Sequence, residues 1–294
     1  MAGLSQVIVT LDGRVQDSHQ PLLFADDLAA VRGDGIFETL LVRDGRACLI
    51  GLHLQRLASS AALMDLPEPD LSAWHHAIDG AVAEWTANTT EDGALRLIYS
   101  RGRESGGDPT AFLTVNPVPV RATAARRDGI AAVLLDRGLS AVGCDAMPWL
   151  LAGAKTLSYA VNMAALRHAT RQGADDVIFV SSEGYVLEGP RSTVVIATDG
   201  DGSGPARLLT PPLSHPILRG TTQQALFEIA AAKGYDCAYE ALRPADLFAA
   251  QGVWLVSSMT LAARVHTLDG SLLRPSTLAS EFSELVDSAV LSDR

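Results

Sequence analysis

The chain has 294 residues, of which 48% are hydrophobic, and this is enough sequence for two domains with sizeable cores. The formal net charge of -11 argues against nucleic acid and membrane surfaces as partners, and no apolar run approaches the ~20 residues that a bilayer span needs. The three cysteines (Cys48, Cys144 and Cys237) are widely separated and form no metal or redox pair, so we expect a cytoplasmic protein without a metal site.

The first half of the chain, residues 1–120, predicts strands interleaved with helices. By periodicity, the strands lie at 5–13, 36–42, 46–50, 94–100 and 110–118, and the helices at 52–67 and 71–87. Asp44 and Gly45 predict a tight hairpin turn between the second and third strands. Prolines and charges at 116–128 are typical of a linker, which places the domain boundary near residues 118–126.

The second domain, residues 127–294, also mixes strands and helices. Periodicity predicts strands at 130–136, 192–198 and 253–259, hairpins at 173–189 and 266–273, a helix that ends near Gln172 and a helix over 221–234. A short loop rich in Gly and Asp lies at 199–204. The segments follow no strict strand–helix–strand rhythm and contain no Gly-rich dinucleotide fingerprint, so the predicted fold class is α+β.

Only two of the 23 basic residues are lysines, so each lysine is informative. Lys233 closes an apolar helix just before Gly234, where a cation complements the helix C-terminus. Lys155 lies in a segment with no other charge between Asp145 and Arg167. Because apolar surroundings disfavour the ammonium form, Lys155 is predicted to act as a Schiff-base nucleophile or a general base. The alternative is a lysine that extends to solvent from a helix start.

Three further features would complement such an amine. Thr221 and Gln224 form a T-x-x-Q pattern, which predicts a capping box at a helix end able to bind phosphate. Arg56, on an amphipathic helix, offers a planar fork to a phosphate. Glu188 follows a strand and could hold a pyridinium proton. Each has an ordinary alternative (helix capping, a solvated arginine, a turn residue), but together with a lysine they are what pyridoxal phosphate requires.

Six segments of the chain occur in a recognisable order. They are GDGIFETLLV at 33–42, HLQRL at 53–57, LIYSRG at 97–102, AKTLSYAVNMAAL at 154–166, ADDVIFVSSEGYVLEGPRS at 174–192 and LLTPPLSHPILRGTTQ at 208–223. Together they resemble the class IV aminotransferases, the fold-type IV pyridoxal phosphate enzymes. The resemblance implies a two-domain fold like that of D-amino acid aminotransferases, a homodimer, and a cofactor site at the interface of the domains and near the partner subunit.

The resemblance also implies a role for each matching residue. Lys155 would be the Schiff-base lysine, Glu188 would contact the pyridine nitrogen, and Tyr159 would bond the ring hydroxyl. Leu218 would pack on the ring. The other implied cofactor-binding residues are Arg56, Ser192, Gly220, Thr221, Thr222 and Ser258.

Within the family, the sequence favours 4-amino-4-deoxychorismate lyase, which makes 4-aminobenzoate for folate synthesis and releases pyruvate. Branched-chain enzymes carry Tyr-x-Arg-Pro near the position of residues 95–97, and D-amino acid enzymes carry Arg-x-His near residues 100–110; this chain has neither. Its Gly-rich SRG loop is more similar to that of the lyases. Arg101, Arg103 or Arg191 would pair with a carboxylate of the substrate.

Two alternatives stay open at this point. A class IV transaminase acting on D-amino or branched-chain amino acids would use the same lysine, so the cofactor residues do not separate it from the lyase. A non-catalytic pyridoxal phosphate-binding protein is the remote alternative. The chain departs from the family pattern at residues 219–223 and at Thr193. These changes spare the cofactor anchors and concern the side of the site that binds substrate, a small-molecule amine.

Overall fold

A computed structural model describes residues 6–143, 146–198 and 206–292 of the chain. The loop predicted at 199–204 and Cys144 lie outside the described residues. Within the described ranges, no helix is long and apolar enough to cross a membrane. The same ranges contain no group of three or more His, Cys, Asp or Glu side chains arranged to hold a metal ion.

The chain divides into two compact units. The first unit contains the described residues up to Pro119 together with the short segment Ala154–Tyr159. The second unit contains Val120–Gly153 and Ala160–Ser292. Lys155 therefore belongs to the first unit, although the chain on both sides of its segment belongs to the second. The two domains predicted from the sequence, 1–120 and 127–294, are continuous ranges. They therefore do not place Ala154–Tyr159 with the first unit.

One antiparallel sheet forms the first unit. Its strands are β1 (Val7–Thr10), β2 (Val15–Gln16), β3 (Gly35–Arg43), β4 (Arg46–Ala47), β5 (Gly93–Ser100) and β6 (Thr110–Pro117). Their order is β2-β1-β6-β5-β3-β4, and every neighbouring pair is antiparallel. The hairpin predicted between β3 and β4 is confirmed, because Asp44 and Gly45 have φ angles of 52° and 74°, as a type I′ turn requires.

Helices complete the described part of the first unit. They are α1 (Leu28–Val31), α2 (Ile50–Leu63) and α3 (Leu71–Thr86), and the last two are the helices predicted for this half. α2 packs against β3 and buries Leu54, Leu57 and Ala61, whose spacing of three and four residues puts them on one face. α3 begins after Asp70, whose carboxylate accepts hydrogen bonds from main-chain N–H groups of the first turn.

The second unit contains a mixed sheet. Its strands are β7 (Ile130–Asp136), β8 (Asp176–Val180), β9 (Thr193–Thr198), β10 (Arg207–Thr210), β11 (Cys237–Tyr239), β12 (Gly252–Ser257), β13 (Leu261–Leu268) and β14 (Ser271–Leu272). The order is β11-β10-β9-β12-β13-β7-β8, and β14 pairs with β13. The pairs β10–β11, β7–β13 and β7–β8 are parallel, and the other pairs are antiparallel. The α+β class predicted from the sequence is confirmed.

Helices cover this second sheet. They are α4 (Val120–Asp128), α5 (Ala160–Arg171), α6 (Thr221–Ala232), α7 (Pro244–Ala249) and α8 (Ala279–Val290), with a 3₁₀ turn at Pro148–Leu150. Gly173 and Gly234 follow α5 and α6 with φ angles of 77° and 89°, the left-handed conformation that glycine commonly supplies after a helix C-terminus. α6 packs against α8, and Phe282 of α8 stacks on Trp254 of β12 with ring centroids 4.0 Å apart.

The irregular linker predicted at 116–128 is wrong as a conformation, because β6 runs to Pro117 and α4 begins three residues later. The two units nevertheless divide between Pro119 and Val120, within the predicted 118–126. α4 buries only Ala122 and Ala125, so its sequence carries little of the apolar periodicity by which a helix is recognised. Periodicity also did not predict α1, α7, α8 or the strands β2, β10 and β11. α8 did carry a signal, since its buried positions follow helical spacing.

The stacked pair in the second unit predicts a large stability effect. Replacing Phe282, which is 2% exposed, by Ala should lower the free energy of unfolding by about 3–5 kcal/mol, because it leaves a cavity against Trp254. Urea denaturation followed by circular dichroism measures the loss. The matched control is Phe248→Ala, whose side chain is 44% exposed and should cost less than about 1 kcal/mol. Equal losses in the two variants would contradict the buried stacking of Phe282 on Trp254.

Candidate active site

The main chain at Lys155 is held against the edge of β3. Ile36 and Thr156 form an antiparallel bridge. On one side of the bridge, the N–H of Phe37 donates to the carbonyl of Lys155 at 3.0 Å, and on the other the N–H of Leu157 donates to Gly35 at 2.7 Å. The lysine thus extends from a paired segment of sheet, five residues before α5 begins, and not from a helix start.

The side chain of Lys155 lies over an aromatic ring. Its Nζ is 4.5 Å from the centroid of Phe37, within the range of a cation–π contact. Tyr159 packs edge-on against the same ring, with centroids 5.4 Å apart. Two of the residues predicted to bind cofactor, Lys155 and Tyr159, therefore meet at Phe37. The main-chain N–H of Lys155 donates to Ser60 Oγ of α2 at 3.1 Å.

A buried charged network lies in the same unit. Arg56 donates two hydrogen bonds to the carboxylate of Glu38, from Nε at 2.7 Å and from one terminal nitrogen at 2.6 Å. His53 Nδ1 lies 2.7 Å from the same carboxylate. Glu38 and His53 are fully buried, and the Arg56 side chain is 11% exposed. The bidentate pair and the histidine fix the orientation of the arginine predicted to bind phosphate.

The network keeps Glu38 ionised. Burial alone would raise the pKa of Glu38, but the Arg56 charge and the hydrogen bonds of Arg56 and His53 hold it well below its usual range. Burial lowers the pKa of His53, and the hydrogen bond to Glu38 only partly opposes this shift. His53 is therefore neutral near pH 7, with its Nδ1–H donating to the carboxylate. The negative charge of Glu38 is thus balanced by the positive charge of Arg56, and neutral His53 adds a hydrogen bond.

A second group of predicted residues lies in the second unit, beginning with Glu188. Its carbonyl accepts the N–H of Phe179 at 2.9 Å, which ties it to β8. Its carboxylate accepts the N–H of Leu218 at 3.0 Å. The structure therefore brings together the acid predicted to contact a ring nitrogen and the leucine predicted to pack on the ring.

The N-terminus of α6 differs from the prediction. Gly220 is the N-cap and makes no side-chain capping bond, Thr221 is the first helical residue, and Gln224 donates to the carbonyl of Gly220. The predicted T-x-x-Q capping box is therefore wrong by one position. The backbone of Gly220 is extended (φ -73°, ψ 119°), so the helix begins at the next residue. A Cβ at position 220 would collide with Thr193, which is why this position takes a glycine.

This helix end offers polar groups suited to a phosphate. Thr221 and Thr222 are 2% exposed, and their main-chain N–H groups belong to the first turn, where α-helices leave N–H donors without helical acceptors. Thr222 Oγ1 and Ser192 Oγ are buried and have no hydrogen-bond partner among the described residues. Ser258 lies in the turn after β12, next to the hydrogen-bonded pair Ser257 and Thr260. Buried hydroxyls without a partner fit a site that is completed by a ligand.

The three arginines predicted to bind substrate each contact an acid of their own unit. Arg101 donates to Asp34 at 2.8 Å and also to main-chain carbonyls at the end of α2. Arg103 pairs with Asp26 at 2.9 Å. Arg191 lies 3.5 Å from Asp176. Their roles toward a substrate carboxylate stay predictions.

The residues that contact the predicted site residues were not predicted from the sequence. Glu38, His53 and Ser60 were not among the candidate site residues. His53 lies three residues before Arg56 and seven before Ser60, so all three share one face of α2. That spacing was the available signal. A buried partner on another element, such as Glu38, leaves no comparable mark in the sequence.

The comparisons with known proteins agree on one family. A family model for "Amino-transferase class IV" matches residues 35–268. The "Bifunctional aminodeoxychorismate lyase / D-amino acid transaminase" of Mycobacterium tuberculosis (strain ATCC 25618 / H37Rv) is 70% identical over 289 residues, covering 98% of this chain and 100% of that protein. Two solved structures of a hypothetical aminotransferase from Mycobacterium tuberculosis are also similar. Its PLP-bound form has a TM-score of 0.95 at 68% identity, covering 99% of this chain and 100% of that one. Its form with alpha-ketoglutarate and PMP has a TM-score of 0.94 at 69% identity, covering 98% and 100%.

The buried network predicts a pH-dependent stability. Because the pKa of His53 is lowered in the folded protein, the unfolded chain binds more protons below pH ~6.5, and the free energy of unfolding falls as the pH drops. His53→Asn keeps an N–H near Nδ1 but cannot titrate. Between pH 7 and 5 this variant should lose less stability than the parent protein, by up to about 2 kcal/mol.

Urea titrations of the cofactor-free protein at both pH values measure this difference. His75→Asn is the control, because His75 is a half-exposed member of an i,i+4 pair with Asp79. Its pH dependence should match that of the parent. A His53→Asn variant with an unchanged pH dependence would show that His53 does not carry the effect.

Proposed function

The chain belongs to the class IV aminotransferases, and we propose that it is a pyridoxal 5'-phosphate-dependent 4-amino-4-deoxychorismate lyase that also transfers the amino group of D-amino acids. The lyase reaction gives 4-aminobenzoate and pyruvate. The observation that carries the proposal is Lys155, the lysine whose main chain is bonded to β3 and α2 and whose amine lies on Phe37. The relative named for both activities supports the choice, at 70% identity over nearly the whole of both chains.

The residues present fit pyridoxal phosphate. When bound, the cofactor supplies a conjugated ring that accepts the electron pair left behind as a substrate proton departs. Lys155 holds the cofactor covalently through its amine and, once displaced by the substrate amine, moves the proton at the carbon that bears the nitrogen. Glu188, oriented by the Leu218 N–H, keeps the ring nitrogen protonated.

The phosphate group has a separate set of partners. The N–H groups of Thr221 and Thr222 and the helix dipole of α6 favour an anion at this end of the helix. The buried Thr222 hydroxyl, which has no hydrogen-bond partner in the described part of the chain, gains one from a phosphate oxygen. Arg56 supplies a cation whose orientation is fixed by Glu38. Ser192, Gly220 and Ser258 complete the proposed set, with Tyr159 at the ring.

The two activities differ in the step after proton removal. In the lyase reaction, expulsion of enolpyruvate would make the product aromatic, whereas in the transaminase reaction Lys155 would return its proton for the amino group to be transferred. Lys155 serves both reactions, so one site can support both. The absence of a Tyr-x-Arg-Pro element at residues 95–97 argues against branched-chain substrates. The Arg-x-His element of D-amino acid enzymes is also absent, so the proposed D-amino acid activity is supported by the relative named for both activities and not by this element. Arg101, Arg103 and Arg191 are the proposed partners of substrate carboxylates.

We further propose that the working enzyme is a cytoplasmic homodimer. Class IV enzymes are typically oligomeric, and the net charge of -11 disfavours binding to nucleic acid or to anionic membranes. Sedimentation equilibrium of the purified protein at micromolar concentration should give a mass near twice 31.0 kDa. A monomer at that concentration would contradict the proposed assembly.

The covalent role of Lys155 has a built-in control, because the chain contains only one other lysine. Borohydride reduction of the cofactor-loaded protein, followed by peptide mass mapping, should place the adduct on Lys155. Lys155→Ala should form no adduct and should lower both activities by about 10²–10⁴-fold. Lys233→Ala, an exposed change at the end of α6, should leave the adduct and both activities unchanged. An adduct on Lys233 would contradict the assignment.

The pair of activities is tested directly with purified protein. Incubation with 4-amino-4-deoxychorismate should release fluorescent 4-aminobenzoate without any added keto acid. Incubation with D-alanine and 2-oxoglutarate should yield pyruvate. Transamination without aminobenzoate would make the chain a transaminase alone. The absence of both reactions in unreduced, cofactor-loaded protein, of which a separate sample gives the Lys155 adduct on reduction, would favour a non-catalytic pyridoxal phosphate-binding protein.

A further inference from the structure

The segment that carries Lys155 is attached to the first unit from two directions. On one side, the bridge to β3 uses the carbonyl of Lys155 and the N–H of Leu157. On the other, the N–H of Lys155 itself donates to Ser60 Oγ at 3.1 Å. The two peptide groups that flank the Cα of the lysine are therefore each bonded to a different secondary-structure element.

Ser60 is placed for this contact by α2. It is 1% exposed and lies four residues after Arg56, on the same face of the helix and about 6 Å further along its axis. Arg56 is fixed on that face by Glu38 at 2.6 and 2.7 Å. A single rigid helix therefore holds both the arginine assigned to the cofactor phosphate and the main chain of the lysine assigned to the cofactor aldehyde.

We propose that Ser60 is a positioning residue for Lys155, because its buried hydroxyl fixes the main chain from which the reactive amine extends. This inference rests on the proposed function of Lys155. A reacting group must be held within a fraction of an ångström of its productive position for the proximity effect to operate. Without the hydroxyl, the N–H of Lys155 loses this acceptor in a partly buried place. The remaining attachments of the segment to the first unit include the bridge to β3 and the bond that Ser158 Oγ donates to the Gly33 carbonyl at 3.2 Å.

Ser60→Ala tests the inference in two arms. In cofactor-free protein, hydrogen exchange at the Lys155 amide, read from peptides that span 154–159, should accelerate about tenfold or more. In cofactor-loaded protein, kcat for both reactions should fall about tenfold while KM stays within about twofold, because the change affects the reacting amine and not the substrate contacts. The rate at which added cofactor becomes attached to Lys155 should fall in parallel.

Two further variants make the result interpretable. Ser59→Ala, in the neighbouring position, removes an exposed hydroxyl that bonds only along its own helix, to the carbonyl of Gln55 at 3.0 Å. It should leave exchange, kcat and KM unchanged. Ser60→Cys keeps the shape with a weaker acceptor, so its exchange and kcat should lie between those of the parent and of Ser60→Ala. The cysteine variant also decides the matter where the alanine variant does not fold.

Each outcome has one meaning. Exchange at Lys155 that is the same in the Ser59 and Ser60 variants shows that Ser60 does not hold the segment, and this overturns the inference. Accelerated exchange with unchanged kcat makes Ser60 a purely structural residue, which also overturns it. Failure of the proposed function is recognised separately, since borohydride reduction of the parent protein would then leave no adduct on Lys155.

Discussion

The antiparallel bridge between Ile36 and Thr156 is the constraint on which the candidate site of the first unit depends. It returns a six-residue segment to the edge of β3 although the chain before and after it belongs to the second unit. Two main-chain hydrogen bonds, at 3.0 and 2.7 Å, flank the bridge. Because the amine of Lys155 extends from this paired segment, its position relative to Phe37 and to α2 is set by main-chain geometry and does not depend on a flexible loop.

Buried charge imposes the second constraint. An isolated carboxylate at the position of Glu38 would be strongly destabilising, so the fold has to supply a cation and further donors nearby. Arg56 and His53 meet this requirement from one face of α2, and in doing so they fix the orientation of a guanidinium close to the lysine segment. The same contacts that make the buried acid tolerable therefore organise a candidate anion-binding residue.

In the second unit, the N-terminus of α6 presents hydrogen-bond donors suited to an anion. Gly220 lets the chain pass Thr193 without a Cβ and begins α6 with its first N–H groups in a buried place. The hydroxyls of Thr222 and Ser192 have no partner within the described residues, an arrangement that costs stability unless a ligand completes it. Stability is thus given up locally where binding groups are needed, as is common at functional sites.

The sequence by itself determined the local elements and the chemistry of single residues. Alternating and helical periodicities located β3, α2, α3, β12 and most other elements, and the Asp44-Gly45 pair set a turn, because these features depend on residues close together in the chain. Lys155 stood out because only two of the 23 basic residues are lysines, and this count is read from the sequence alone. The tertiary structure decided what depends on distant residues. It turned the expected linker into α4, moved the cap of α6 to Gly220, and placed Glu38 and Ser60 beside Arg56 and Lys155. A buried partner is chosen by the packing of separate elements, and no spacing along the chain records that choice.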